Sequence, residues 1–246
     1  MDSIKHLIDN TGEKSMQVAY QTYSLFKREV GRWRDERGSY WAKNLIPAES
    51  PPYYPRQSLP EKAIFELWNR LNRVVGLNVS QADLEQKWEE FKDSQFLQDS
   101  KLLSCLQIAI SGVARITRET NSNLRDFPLE SCSESSDCPF CGERAGVSVL
   151  IPPSGHRLLH CSLCGHEWPT KRIGCIRCGG EEASKQNYLR AEEFPGVELV
   201  VCEGCGHYFK EWDLRVHHVD DFIWEDVKTL ALNYAAEEWV ARTLKA

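Results

Sequence analysis

Eight of the ten cysteines fall between Cys138 and Cys205 in four Cys-x-x-Cys pairs: Cys138/Cys141, Cys161/Cys164, Cys175/Cys178 and Cys202/Cys205. Two intervening residues let both sulfurs of one tight turn face a single ion, and two such turns complete a tetrahedral four-sulfur site. A glycine follows each pair, at Gly142, Gly165, Gly179 and Gly206. That suits a backbone that turns sharply, often at positive φ, with its amides toward the sulfurs. The chemistry expected is therefore binding of two metal ions, each by four thiolates. Zn(II) and a rubredoxin-type mononuclear iron fit such a donor set equally well. A catalytic zinc keeps one position for water, which four cysteines fill, so the pattern argues against metal-assisted hydrolysis.

The pairs form two copies of one unit. Leu158-Leu159-His160-Cys161-Ser162-Leu163-Cys164-Gly165-His166 lies over Leu199-Val200-Val201-Cys202-Glu203-Gly204-Cys205-Gly206-His207, and an aromatic (Trp168, Phe209) follows two residues after each His. First and second pairs are 23 residues apart in one copy and 27 in the other. The repeat assigns Cys138, Cys141, Cys161 and Cys164 to one ion, and Cys175, Cys178, Cys202 and Cys205 to the other. An interleaved cross-brace is the alternative. Each unit is expected to be a ribbon with short strands, such as 146–151 and 158–161, and with too few apolar residues to fold without metal. His166 and His207 are expected beside the sites or at the surface. Trp168, Tyr208, Phe209 and Trp212 are candidate contacts for a partner, with packing over the metal turns the preferred reading. His217, His218, Asp220 and Asp221 are a further metal candidate, but they read better as a polar connector with an aspartate at a helix N-terminus.

The elements that carry these units are helical. Residues 1–46 place Val18, Tyr20, Tyr23, Phe26, Val30 and Trp33 at helical spacing, and the charges of 32–37 read as a solvated face with Trp33 turned inward. Pro47, Pro51, Pro52, Pro55 and Pro60 mark an extended connector packed across the helices. Ser58 to Glu61 forms a capping-box pattern before a helix with Ile64, Phe65, Leu67, Trp68 and Leu71 on one stripe, and Gly76 marks its stop. Ser80 with Asp83 opens another helix carrying Leu84, Trp88 and Phe91, and a third runs over 100–117. Cys105 falls on the apolar face of that third helix and reads as a small core residue. Cys132 lies in a polar boundary segment, outside the paired spacing. A last helix over 224–244 is expected to bury Val227, Leu230, Ala231, Tyr234, Ala235 and Trp239.

The expected class is α+β: a helical domain over 1–130, metal ribbons over 131–172 and 173–215, and a C-terminal helix over 216–246. The whole chain has 246 residues and a formal charge of −6. Residues 131–218 hold nine Lys/Arg and twelve Asp/Glu, a balance of −3, and each four-thiolate site with a divalent ion adds a further −2. A nucleic-acid ribbon needs a basic face, so this balance counts against that class. No apolar run approaches the ~20 residues of a membrane span. The N-terminus shows no secretory pattern, and the cysteine usage fits a reducing compartment, so a cytoplasmic location is expected.

From Asp137 to Ala236 the chain resembles the formate dehydrogenase accessory protein family, FdhE-like. The likeness is carried by Cys138-Pro139 with Cys141-Gly142, Leu159-His160-Cys161-Ser162-Leu163-Cys164, Glu167-Trp168, Arg172, and Cys175 with Cys178-Gly179. Tyr188, Cys202 with Cys205, Tyr208-Phe209-Lys210 and the stretch from Glu225 to Leu232 continue it. Near its end the chain departs from the family pattern, at Glu237-Glu238-Trp239-Val240. The resemblance implies a non-enzymatic cytoplasmic chaperone with rubredoxin-like iron sites. Its implied partner is the catalytic subunit of a molybdenum- or tungsten-containing formate dehydrogenase. A redox or thiol-active protein and a nucleic-acid-binding zinc ribbon are the alternatives.

Overall fold

The computed structural model describes residues 12–92, 99–121 and 135–243. The chain divides into two compact units, one of Gln21–Leu124 with Pro139–Gly142, the other of Met1–Tyr20, Arg125–Cys138 and Glu143–Ala246.

The first unit is built on helices. Helix α1 (Gly12–Trp33), of which the residues from Gln21 onward belong to this unit, runs on through a π-helical segment, Arg34–Gly38, and a last turn, Ser39–Ala42. Phe26, Trp33 and Ala42 are buried. Val18 and Tyr20 are exposed, contrary to the stripe expected from spacing, because the buried face begins only at Phe26. The charged face is tied across helices: Arg37 Nε lies 3.1 Å from Glu66 Oε1, and Arg70 NH1 lies 2.8 Å from Glu36 Oε2.

Helix α2 (Glu61–Val74) buries Ile64, Leu67, Trp68 and Leu71 as its spacing predicts. The capping box does not form. Ser58 Oγ donates to Pro55 O within a 3-10 turn, Pro60 stands at the N-cap, and Glu61 accepts from Trp88 Nε1 at 2.8 Å. Its end is a Schellman motif: Gly76 (φ 77°) donates to Arg73 O and Leu77 N to Asn72 O.

Helix α3 (Gln81–Lys92) starts with Ser80 Oγ accepting from Asp83 N, as expected. Helix α4 (Ser100–Thr120) is capped by Asp99, which accepts from Lys101 N and Leu102 N. Gly112 lets it approach closely, since a Cβ there would stand 2.7 Å from Leu67 Cδ2. In the proline-rich connector Tyr54 is buried, its ring 5.0 Å from that of Phe140. Tyr53 N donates to Pro139 O and Tyr54 N to Phe140 O.

The second unit is organised by one six-stranded sheet. Strands β1 (Val147–Ile151), β2 (His156–His160) and β3 (Glu167–Pro169) come from the first cysteine unit. Strands β4 (Gln186–Arg190), β5 (Val197–Cys202) and β6 (Tyr208–Asp213) come from the second. The order is β3-β2-β1-β6-β5-β4. Each copy is an antiparallel meander, and the copies join through β1 and β6, which pair in parallel with Val147 opposite Lys210. The parallel seam follows from the repeat, because two like-oriented meanders laid side by side present strands of the same direction.

Val147, Val149, Leu158, Val197, Leu199, Val201 and Trp212 line one face of the sheet, together with Leu232 and Ala236. Those two lie on the last helix. The single C-terminal helix expected from the sequence is two, α5 (Phe222–Lys228) and α6 (Leu230–Thr243). The break at Thr229 changes the helical phase, so Leu232 and Ala236 are buried while Leu230 and Tyr234 are exposed. Among the described residues no helix is long and apolar enough to cross a membrane.

Candidate metal centres

Each cysteine turn closes on itself through backbone hydrogen bonds. Cys138 N donates to Glu143 O, Gly165 N to Cys161 O, Gly179 N to Cys175 O, and Gly206 N to Cys202 O, all at 2.8–2.9 Å. The four trailing glycines have φ of 70–79°, which an L side chain rarely adopts. The strands then set the turns against one another. Strand β2 ends one residue before Cys161 and β5 ends at Cys202, so the hairpins deliver the second turn of each unit to the first.

The sulfurs gather as two groups of neighbouring pairs rather than interleaved ones. One is Cys138, Cys141, Cys161 and Cys164; the other is Cys175, Cys178, Cys202 and Cys205. Within each group the sulfurs lie within 4.8 Å of one another. Cys138–Cys164, Cys175–Cys205 and Cys178–Cys202 are separated by 3.6, 3.7 and 3.9 Å. A tetrahedral ion with metal–sulfur bonds of about 2.3 Å has sulfur–sulfur edges of about 3.8 Å, so these groups fit a four-thiolate ion.

The two groups differ in exposure. All four cysteines of the first are buried, whereas in the second Cys205 is half-buried and Cys178 exposed. Burial pushes the Cys175 thiol up to about 12. At Cys202 burial acts the same way, but the Cys205 amide and the Gln186 side chain outweigh it and the thiol falls below its ordinary value.

Neither histidine after the knuckles joins a sulfur group. His166 is buried with its ring 6.0 Å from that of Trp168, and the exposed His207 Nδ1 lies 3.1 Å from Cys205 O. Trp168, Phe209 and Trp212 are buried as packing, and the half-buried Tyr208 donates to Glu237. Asp221 caps α5 by accepting from Ile223 N and Trp224 N, His217 faces Glu225, and His218 faces Asp220. Cys105 is fully buried in α4, where burial pushes its thiol up to about 11. Cys132 lies outside the described residues.

Sequence reasoning missed the buried charges beneath the sheet. Arg157 Nε sits 2.8 Å from Glu211 Oε2, an ion pair whose N–H is poorly aligned for a hydrogen bond, and both side chains are buried. Ser148 Oγ donates to Glu211 Oε2 at 2.8 Å, and Arg157 NH1 donates to Gly174 O at 2.9 Å. On the other face Lys210 Nζ donates to Asp226 Oδ1 at 2.7 Å. The signal was present in Phe209-Lys210-Glu211-Trp212, where two charges stand between aromatics on a strand.

A family model described as FdhE, central domain, matches residues 137–172, which hold the first cysteine unit. Protein FdhE homolog of Aquifex aeolicus is 32% identical over 104 residues, covering 41% of this chain and 37% of that protein. Its counterpart in Pectobacterium atrosepticum is 39% identical over 108 residues, covering 41% and 33%. The sequence likeness to FdhE proteins is thus placed on the first cysteine unit by the family model, and the two relatives match 104 and 108 residues of the chain. The matched stretch spans about a third of the length of these relatives. The crystal structure of the FdhE protein from Pseudomonas aeruginosa has the same fold over 89% of this chain and 83% of its own, with a TM-score of 0.60 and 21% identity. The fold likeness therefore extends past the FdhE-like stretch into the helices.

Proposed function

We propose that this chain is a maturation factor for formate dehydrogenase. It would act in the cytoplasm as a chaperone rather than an enzyme, binding the catalytic subunit of a molybdenum- or tungsten-containing form. The observation that carries the reading is the position of the FdhE central-domain match. It falls on one of two four-sulfur units within a chain that shares the fold of an FdhE protein. In this reading Cys138, Cys141, Cys161 and Cys164 hold one ion, and Cys175, Cys178, Cys202 and Cys205 the other. Zinc and rubredoxin-type iron both satisfy four thiolates. A bound ion supplies cross-links between turns that have little apolar burial of their own. The sheet then presents a rigid face to the client, and neither nucleic acid nor membrane insertion enters the reading.

The test pairs genetics with capture. A strain lacking the gene should lose formate dehydrogenase activity and regain it with the intact gene. The tagged protein should retain the catalytic subunit of that enzyme. Full activity in the deletion strain, with no capture of the subunit, refutes the proposal. A thiol or electron-transfer role is the second reading, favoured by the exposure of Cys178. It requires a reversible couple in the metal-loaded protein.

A further inference from the structure

The two sulfur groups are copies in sequence but not in shielding, and the difference traces to a few aligned positions. In the first copy Phe140 stands between its cysteines and is 2% exposed, against Tyr54. The amides of Tyr53 and Tyr54 donate to Pro139 O and Phe140 O at 3.1 and 2.7 Å. Gly142 lies under Pro52, where a Cβ would stand 3.1 Å from Pro52 Cγ. In the second copy the place of Phe140 is taken by Arg177, which is exposed, and a Cβ on the equivalent Gly179 would meet nothing within 4 Å. Leu163 is half-buried, whereas its counterpart Gly204 is exposed and has no side chain to cover the sulfurs. The histidines repeat the contrast, His166 buried and His207 exposed. A cleft of about 280 Å³ also runs along the first turn of the second copy, lined there by Cys175, Ile176 and Gly179.

The geometry points to a division of roles between the two centres. The first holds a permanent structural ion. The second is an exchange-competent centre that takes up and releases a thiophilic divalent cation through its open Cys178 edge. The inference rests on the reading that both groups hold ions. Exchange at a closed four-thiolate shell requires an incoming ligand to reach the ion, so access decides its rate. At the second centre an incoming thiolate or chelator binds the ion and the Cys178–metal bond breaks. The freed Cys178 sulfur then takes a proton from water, and no electron is transferred. At the first centre the same step has to wait for local opening of Phe140 and the connector that covers it.

The experiment uses the full chain loaded with zinc and challenged with excess 4-(2-pyridylazo)resorcinol, with N-ethylmaleimide present to trap freed thiols for peptide mapping. The expected result is two zinc ions per chain leaving in two equal phases, separated at least about tenfold in rate. The fast phase should label Cys175, Cys178, Cys202 and Cys205, and the slow phase the remaining four. Arg177→Phe combined with Gly204→Leu should slow the fast phase; a Cβ at Gly204 meets only Cys202 Sγ, at an ordinary contact distance of 3.5 Å. As the converse, Leu163→Gly should speed the slow phase. Two ions leaving in one phase, or label appearing first at Cys138–Cys164, overturns this inference alone. Fewer than two zinc ions per chain overturns the metal reading and this inference with it.

Discussion

Replacing Glu211 with leucine tests the cost of one buried charge. Glu211 is 3% exposed, lies 2.8 Å from Arg157 Nε, accepts from Ser148 Oγ, and is 3.7 Å from Arg172 NH1. Arg157 is 4% exposed, and burial pushes its pKa down against the pull of Glu211. Without Glu211 it keeps the carbonyls of Gly174 and Lys171 at 2.9 and 3.4 Å and the Phe209 ring at 4.9 Å, which solvate the charge, and only the weaker pull of Tyr188 and Cys175 opposes the effect of burial. Removing one partner of a buried pair costs about 3–5 kcal/mol, and we expect about 4 for Glu211→Leu. That is a large part of the ~5–15 kcal/mol that holds a typical domain together. Arg157→Leu leaves Glu211 with Ser148 and the half-exposed Arg172, so about 2–3 kcal/mol is expected. The double replacement removes both charges and loses the contacts to Ser148, Gly174 and Lys171, the half-exposed Arg172 and the Phe209 ring, about 1–2 kcal/mol. The double variant should therefore be more stable than Glu211→Leu alone, with a coupling of roughly 5 kcal/mol. Urea unfolding of the metal-loaded proteins, compared at unchanged m-value, measures all three. A Glu211→Leu cost below about 1 kcal/mol, or a double variant costing the sum of the singles, refutes the reasoning.

Three further outcomes are expected. Cys161→Ser and Cys202→Ser should each reduce bound metal from two ions to one by elemental analysis, and loss of both ions from either variant would show that the groups are not independent. Burial pushes the pKa of Lys210 below its ordinary 10.5 despite Asp226, so folding is penalised while that lysine is charged. The penalty is full below the folded-state pKa and fades as pH rises toward 10.5. Lys210→Met should therefore stabilise the protein at pH 7 by up to about 1 kcal/mol in urea, with a gain that shrinks in alkali; a gain that grows with pH contradicts this. Gly112→Ala places a Cβ 2.7 Å from Leu67 Cδ2 and 3.3 Å from Val30 Cγ1, and overpacking there should cost about 1–3 kcal/mol in the same assay.

Legibility in the sequence tracked how local each feature is. The stop at Gly76 and the cap at Ser80 were readable because each is set by atoms within four residues. The capping box at Ser58 failed because its hydroxyl is taken by Pro55 O and Glu61 is taken by Trp88, a partner 27 residues away. Val18 and Tyr20 keep helical spacing yet are exposed, since periodicity gives a stripe but not where burial along it begins. Of the C-terminal stripe Trp239 packs against the core, but Leu230 and Tyr234 are exposed, since a helix break at Thr229 that no glycine or proline announces resets the phase.

The sequence by itself determined the two four-cysteine units, their internal pairing and the helical context. A Cys-x-x-Cys-Gly turn is a short-range object, and two copies of one pattern reveal which turns belong together. Only the tertiary structure decided that the two ribbons merge into one sheet along the parallel β1–β6 seam, and that Arg157 and Glu211 meet beneath it. It also decided that the first sulfur group is sealed while the second stands open at Cys178. Burial sums contributions from neighbours far along the chain, such as Pro52 and Tyr54 against Gly142 and Phe140. Spacing within either cysteine unit carries no record of those neighbours.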